Sequence, residues 1–177
     1  ALPYEIDWSA TNNIQDVAQV VDGKWGLDSF GIHPHEPGYD RLITIGDMSW
    51  TDFEVEVPIT IHEVDFAGAG GNSGGPGLGI LAHWIGHSDD PVAGWQPKSG
   101  WKPSGAIGWW RWSDPSSARL TFDETPLSKV FLPTPGLTYI FKLRVEATPD
   151  QGPLYRLKVW ESGSIEPSSW DLAYQLS

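Results

Sequence analysis

Between Phe53 and Ile61 every second residue is apolar, and the residues between them are polar or proline. A period of two places alternate side chains on opposite faces of an extended chain, so this segment is predicted to be a strand with one buried face. Pro58 has no N–H group to donate to a β-ladder. Its presence predicts either a bulge or a position at which no ladder bond is needed.

The same alternation returns near the C-terminus, and shorter apolar runs bounded by turn residues occur between the two. The chain has 20 glycines and 15 prolines, and no window keeps the apolar spacing of an amphipathic helix. The predicted strands are 41–45, 53–61, 78–85, 106–112, 139–145 and 155–160, with a hairpin turn at 150–153. Strands without intervening helices predict an all-β fold, a two-sheet antiparallel β-sandwich or jelly roll, and 177 residues fit one domain over 1–177.

The formal charge of −12 excludes several classes of partner. Nucleic acid and anionic membrane surfaces both require clustered basic residues, and no apolar stretch is long enough for membrane insertion. The chain has no cysteine, so disulfides and thiolate metal sites are excluded. An acidic chain repels acidic polysaccharides unless arginine or lysine is concentrated locally. A neutral glycan is therefore the easiest ligand to reconcile with this composition.

Three stretches resemble a known superfamily. Residues 38–55 contain Trp50-Thr51-Asp52-Phe53-Glu54-Val55, which looks like the W-x-D-[FY]-x-[VL] entry into a long strand of laminin-G-like domains. The paired runs 139–145 and 155–160 follow, and 158–170 is similar to the K-V-W-x-x-G-x-x-E-P-x-x-W close of bacterial concanavalin A-like domains. The resemblance implies a concanavalin A-like jelly roll. It also implies a secreted or cell-surface bacterial domain, part of a larger multidomain protein, in a superfamily of lectins, carbohydrate-binding modules, glycoside hydrolases and polysaccharide lyases.

Tryptophan is the strongest functional signal, with eleven residues in the chain and six of them between Trp84 and Trp112. An indole face stacks well on the C–H face of a sugar ring. Trp95 and Trp101 lie in a polar, turn-rich insertion where they either bind ligand or pin the loop to the domain. The remaining tryptophans outside this region are expected to pack in the core or at strand ends: Trp8, Trp25, Trp50, Trp160 and Trp170.

Alternation along 109–112 separates Trp109 and Arg111 from Trp110 and Trp112. Because arginine is rarely buried without a partner, Trp109 and Arg111 are predicted to face outward, and His83 to lie outward or in the same groove. The alternative for Arg111 is an ion pair with Glu54 or Glu56. The predicted ligand-binding groove of a non-catalytic, lectin-like module consists of His83, Trp109 and Arg111, roofed by His87, Trp95 and Trp101.

Two other classes of function stay open. Glu54 and Glu56 have the spacing of a paired-carboxylate device, but Pro58 stands where laminarinase-type hydrolases carry a third acid. A polysaccharide lyase would use His83 and Arg111 with a tyrosine. A third class is a protein-binding adhesion or structural domain, for which the tryptophans would be interface anchors.

Calcium is the metal that this sequence favours, because oxygen ligands are abundant and structural calcium recurs in the superfamily that the chain resembles. The candidate ligands are Asp22, Asp47 and Asp171, each of which could instead form a turn or a strand-end cap. His33-Pro34-His35 is too small a set for zinc and is expected to be a solvated turn.

Overall fold

The computed structural model describes residues 2–36, 41–65, 76–84, 86, 105–112, 116–122 and 125–176. These residues form two compact units, one before and one after the boundary between Trp50 and Thr51. The helices of the described residues are two short 3-10 turns, neither of which has the length or hydrophobicity to cross a membrane.

The first unit contains four short strands: β1 (Gln19–Asp22), β2 (Trp25–Asp28), β3 (Gly31–Pro34) and β4 (Leu42–Thr44). They make two antiparallel pairs, β1 with β4 and β2 with β3. The 3-10 turns Trp8–Ala10 and Ile14–Asp16 precede them. Each turn is capped by the side chain of the residue before it, since Asp7 accepts from the N–H of Ser9 and Asn13 from that of Gln15.

The second unit contains eight strands: β5 (Phe53–Thr60), β6 (Gly77–Ala82), β7 (Ala106–Arg111), β8 (Arg119–Phe122), β9 (Ser128–Val130), β10 (Thr138–Glu146), β11 (Leu154–Glu161) and β12 (Leu172–Gln175). They form two four-stranded sheets in the orders β12-β11-β10-β5 and β6-β7-β8-β9. Every pair in both sheets is antiparallel. The predicted all-β, antiparallel fold is therefore confirmed, and all six predicted strands are present.

Both sheets contribute to one hydrophobic core, in a sandwich-like arrangement. Gly108 of β7 shows how closely they approach, because a Cβ at this position would lie 2.9 Å from Leu143 Cδ1 on β10 and 3.1 Å from Phe122 Cε1 on β8. A larger residue would overpack this point. The largest fully buried side chains are Trp110, Tyr155, Phe122, Phe141, Leu120, Leu143, Leu157 and Val145.

Strand β5 shows why proline is tolerated within an alternating run. Its apolar residues are half-buried and the intervening ones are exposed, as the sequence pattern predicts. Among the described residues β5 pairs with β10 alone, so it is an edge strand, and the register runs without a break across Pro58 and Ile140. Proline occurs on edge strands because one side of such a strand needs no ladder bond. The register shows no bulge at Pro58. This proline therefore lies at a position where no ladder bond is needed, which was the second of the two predicted explanations.

Candidate functional site

The two four-stranded sheets each have an inner and an outer face, and strand β7 separates its tryptophans between them. Trp110 is 1% exposed and lies in the core, with Trp112 packed against the same cluster. Trp109 and Arg111 lie on the opposite, outer face, as alternation predicts. We call this outer face of the β6–β9 sheet the Trp109 face.

The strand registers arrange the Trp109 face in rows across the sheet. One row runs Gly79, Trp109, Thr121 and Ser128, and the next runs Gly77, Arg111, Arg119 and Val130. The aromatic row and the cationic row are therefore neighbours. The two positions on β6 that flank them carry no side chain.

The glycines of β6 are required by the position of the Trp109 ring. A Cβ at Gly77 would lie 2.7 Å from Trp109 Cε3, so the six-membered ring occupies the space that a side chain at Gly77 would fill. A Cβ at Gly79 would lie 2.4 Å from the Gly108 carbonyl oxygen, which makes this a close approach of two backbones. Glycine at both positions lets the indole extend across β6.

Arg111 lies over this ring, with its guanidinium carbon 4.5 Å from the ring centroid. Such stacking uses the face of the guanidinium, and its N–H donors lie in the guanidinium plane. The indole N–H of Trp109 is buried and has no hydrogen-bond acceptor in the part of the chain that the structure describes. Unsatisfied buried donors are rare in native proteins.

Arg119 is the residue of this face that the sequence did not single out. It stands directly opposite Arg111 in the β7–β8 register, it is exposed, and its Nε–H donates to the carbonyl of Ser117 at 2.8 Å. It forms no ion pair with any described residue. Only the pairing of β7 with β8 brings the two arginines together, because eight positions separate them in the chain.

His83 is not on this face, which corrects the expectation that it points outward. It follows β6 with φ +53°, a left-handed conformation that turns both Ala82 and His83 towards the interior. Its Nδ1 lies 2.9 Å from the hydroxyl of Tyr155, and its ring contacts those of Phe53 and Tyr155 edge to face. His83 therefore belongs to a polar contact at the edge of the core.

The predicted roof of the groove, His87, Trp95 and Trp101, lies outside the described residues. Of the six predicted ligand-binding residues, the structure brings Trp109 and Arg111 into contact and places His83 on the other side of the sheet. Their roles in binding stay predictions.

The outer face of the other sheet, which we call the Lys158 face, has a different chemistry. Its rows place Lys142 opposite Lys158 and Arg144 opposite Arg156, so like charges face one another across β10 and β11. Each of these cations has a carboxylate partner. The ion pairs are Lys142–Glu56 (2.9 Å), Lys142–Glu166 (2.8 Å), Lys158–Glu166 (2.6 Å), Arg156–Glu146 (2.5 Å) and Arg144–Glu54.

The segment after β11 supplies the residue that holds the two lysines together. Gly163, with φ +86°, turns the chain back across the sheet, and Glu166 then reaches both lysines. Hydrogen bonds from Lys142 and then Lys158 lower the pKa of Glu166 to about 2. Burial lowers the pKa of Lys142, but its hydrogen bonds to Glu166 and Glu56 outweigh this effect and the net pKa is raised.

Two tryptophans complete the Lys158 face. Lys158 Nζ lies 5.7 Å from the centroid of Trp160 and 4.6 Å from that of Trp170, and Arg144 stacks on Trp170 at 5.2 Å. Trp160 and Trp170, for which core or strand-end packing was predicted, thus pack on cations of an outer face near the ends of β11 and β12. The K-V-W…G…E-P…W stretch that resembles concanavalin A-like domains is, in this chain, the set of residues that closes the Lys158 face.

These ion pairs bear on two sequence predictions. Glu54 and Glu56 each bind a cation of β10, so the carboxylate pair is engaged in ion pairs. The alternative in which one of them holds Arg111 is wrong, because Glu54 and Glu56 lie on the sheet opposite to that of Arg111.

The candidate calcium ligands have structural positions of their own at turns and strand ends. Asp47 accepts from the N–H of Ser49, and hydrogen bonds from the side chain and backbone of Ser49 hold its pKa below the usual value. Asp22 ends β1 before Gly23, and Asp171 accepts from the Val159 N–H and pairs with Lys129. Within the described ranges no three His, Asp or Glu side chains cluster as a metal site would require.

A groove among the described residues of the second unit has a volume of about 370 Å³. It is lined by His62, Glu63, Val64, Trp110, Leu132, Pro133 and Pro135. Trp110 is its only aromatic ring apart from the imidazole, and that indole is almost fully buried. The groove therefore offers no exposed indole face for a sugar ring.

No protein-family model matches this chain, and searches of curated proteins and of solved structures gave no match.

Proposed function

We propose that this chain is a non-catalytic carbohydrate-binding module with a concanavalin A-like jelly-roll fold, and that its Trp109 face binds the glycan. The observation that carries the proposal is the pair of Trp109 and Arg111, which lies beside two glycines on an outer sheet face. An indole stacked with a guanidinium combines an apolar surface with hydrogen-bond donors, and a sugar has both an apolar C–H face and polar hydroxyls. We place the module outside the cytoplasm, within a larger bacterial protein.

The positions of His83, Tyr155 and Arg111 support a non-catalytic function over that of a lyase. Tyr155 is the tyrosine next to His83, but its side chain is fully buried. Burial, and secondarily the neighbouring Tyr174, raise the pKa of Tyr155, which disfavours the phenolate that a base would need. Arg111 lies on the opposite side of the β6–β9 sheet. The set that a lyase would use is therefore divided between two faces.

The test is a glycan array with the purified protein, its Trp109→Ala variant and its Trp160→Ala variant. Trp109→Ala should weaken binding at least about tenfold, because removal of an aromatic anchor typically costs more than about 1.4 kcal/mol. Trp160→Ala is the matched control, since it removes a tryptophan from the Lys158 face. Equal loss in both variants, or binding that survives Trp109→Ala, would contradict the proposed site.

The same preparations test the calcium that we propose for Asp22, Asp47 or Asp171. A structural ion at any of these positions predicts that EDTA lowers the Tm and that added calcium restores it. An unchanged Tm would remove calcium from the proposal without affecting the glycan site.

A further inference from the structure

The two histidines near the end of the β2–β3 hairpin lie on an extended strand rather than in the turn that the sequence predicts. His33 belongs to β3. The N–H of His35 donates to the carbonyl of Lys24 at 2.9 Å, which continues the pairing of the two strands by one residue. Positions i and i+2 of a strand project from the same face. The two imidazoles therefore stand side by side, with their centroids 5.5 Å apart and their planes at 89°.

Gly26, which pairs with His33 on the neighbouring strand, leaves the space that both rings occupy. A Cβ at this position would lie 2.6 Å from His33 Nε2 and 2.9 Å from His35 Cε1. Both imidazoles thus lie over the same point of β2, and His33 presents Nε2 there. A larger residue would displace the rings from the point at which they converge.

Asp28 lies beside the other nitrogen of His33. Its Oδ2 is 3.6 Å from His33 Nδ1, and its Oδ1 accepts from the N–H of Phe30 at 2.8 Å, which fixes the carboxylate at the hairpin turn. A negative charge beside Nδ1 favours the proton on that nitrogen and leaves a lone pair on Nε2. Histidines that bind metal ions typically have a carboxylate beside the nitrogen that does not bind.

We propose that His33 and His35 form a two-imidazole site for a divalent transition-metal ion, with Asp28 as the carboxylate that orients His33. Imidazole is a ligand that nickel, zinc and copper share, and copper(II) has the highest affinity of the three. Lys24, opposite His35, opposes the binding of ions such as calcium that are held by charge alone. This site lies in the first unit and does not depend on the proposed glycan binding.

The number of ligands sets the kind of binding. Two imidazoles are fewer than the three or four protein ligands of a catalytic or structural zinc site, so water completes the coordination. The side chains of His33 and Asp28 are 48% and 49% exposed, which gives the ion access from solvent. The site would therefore take up and release its ion without unfolding of the hairpin.

The experiment titrates the full chain with copper(II) sulfate by calorimetry and records the electron paramagnetic resonance spectrum of the complex. The expected result is a single tightest-bound ion whose spectrum shows coupling to two imidazole nitrogens. A Tm that rises with added copper should accompany it, because the ion binds the folded chain. Absence of saturable binding, or a spectrum without imidazole coupling, would overturn the proposal.

Variants assign the ion to the two histidines. His33→Ala and His35→Ala should each weaken binding at least about tenfold, since even the loss of a group that only orients a ligand costs about 10–100-fold. His62→Ala is the matched control, because it removes an exposed histidine of the second unit, and it should leave the affinity unchanged. Equal weakening in all three variants would overturn the proposal.

Two further variants keep both histidines and test whether their arrangement matters. Gly26→Ala should weaken binding at least about tenfold by displacing the rings. Asp28→Asn keeps an acceptor for Phe30 and removes the charge, and it should weaken binding about tenfold. Unchanged affinity in both would mean that the histidines bind copper as isolated surface groups, and would overturn the proposal. Circular dichroism verifies folding, and Asp28→Asn carries the test if Gly26→Ala fails to fold.

Discussion

The two outer faces of the second unit use the same kinds of residue in different ways. Both carry tryptophan, and both place two cations opposite each other across adjacent strands. On the Lys158 face the chain supplies the carboxylates itself and brings Glu166 and Trp170 across the sheet. On the Trp109 face Arg111 stacks on Trp109, and Arg119 donates to the carbonyl of Ser117.

This difference shows that an abundance of tryptophan beside basic residues does not by itself identify a binding site. Trp160 and Trp170 pack on an ion-paired network in which Lys142 and Lys158 are buried. Trp109 is stacked with Arg111, and its N–H has no acceptor among the described residues. The surroundings of each tryptophan distinguish the two roles.

The largest expected effect compares neighbouring tryptophans of β7. Trp110→Phe should lower the free energy of unfolding by about 2–3 kcal/mol, because it leaves a cavity and removes the N–H bond to the Phe131 carbonyl. Trp109→Phe should cost less than about 1 kcal/mol, since the N–H that it removes has no described acceptor. Urea denaturation measures both. A larger loss for Trp109→Phe would show that Trp109 is mainly a structural residue.

The second largest expected effect compares the loss of a cation from the Lys158 face with the loss of a cation from the Trp109 face. Lys158→Met should lower the free energy of unfolding by about 2 kcal/mol, because the Lys158 ammonium binds Glu166 and the carbonyl of Pro167 in a mostly buried position. Arg119→Met should change it by less than about 0.5 kcal/mol, as is typical of exposed positions. Equal destabilisation, measured by urea titration, would remove the distinction between a compensated face and a binding face.

The smallest expected effect is the pH dependence of the stability that Glu166 contributes to the Lys158 face. The pKa of Glu166 is lowered from 4.5 to about 2, so its stabilising contribution is complete above pH 4.5 and is lost as the pH falls towards 2. Glu166→Gln should therefore destabilise the protein at pH 7, and the difference from wild type should shrink between pH 4.5 and pH 3. Glu63→Gln provides a control on an exposed acid. A pH-independent difference would mean that the ionised form of Glu166 is not what stabilises this face.

The positions of the strands could be predicted where the alternation of apolar and polar residues is long. Which strands pair with each other could not be predicted. The period-two runs at 53–61 and 139–160 gave three strands close to their observed bounds. The strands of three or four residues, such as β8 and β9, are too short for a period to be recognised. Arg119 was missed for this reason, because its importance depends on the register that places it opposite Arg111.

The orientation of Trp109 and Arg111 followed from alternation, but that of His83 did not. A left-handed φ at His83 breaks the period at the end of β6, and no glycine or asparagine marks the position in advance. The pairing of Glu54 with Arg144 and of Glu56 with Lys142 likewise depends on which strands are neighbours. Sequence periodicity predicts the face on which a residue lies, and sheet order decides what it contacts.

Pro58 and the glutamates beside it also have a consequence for how copies of this protein meet. An edge strand ordinarily offers a row of N–H and C=O groups onto which a strand of another molecule can add. Among the described residues β5 pairs only with β10; proline removes a donor from this strand, and Glu54 and Glu56 add exposed charged side chains, paired with Arg144 and Lys142, beside it. A long alternating strand with high β-propensity is thereby protected against edge-to-edge aggregation, and Pro58→Val is the substitution that would expose it.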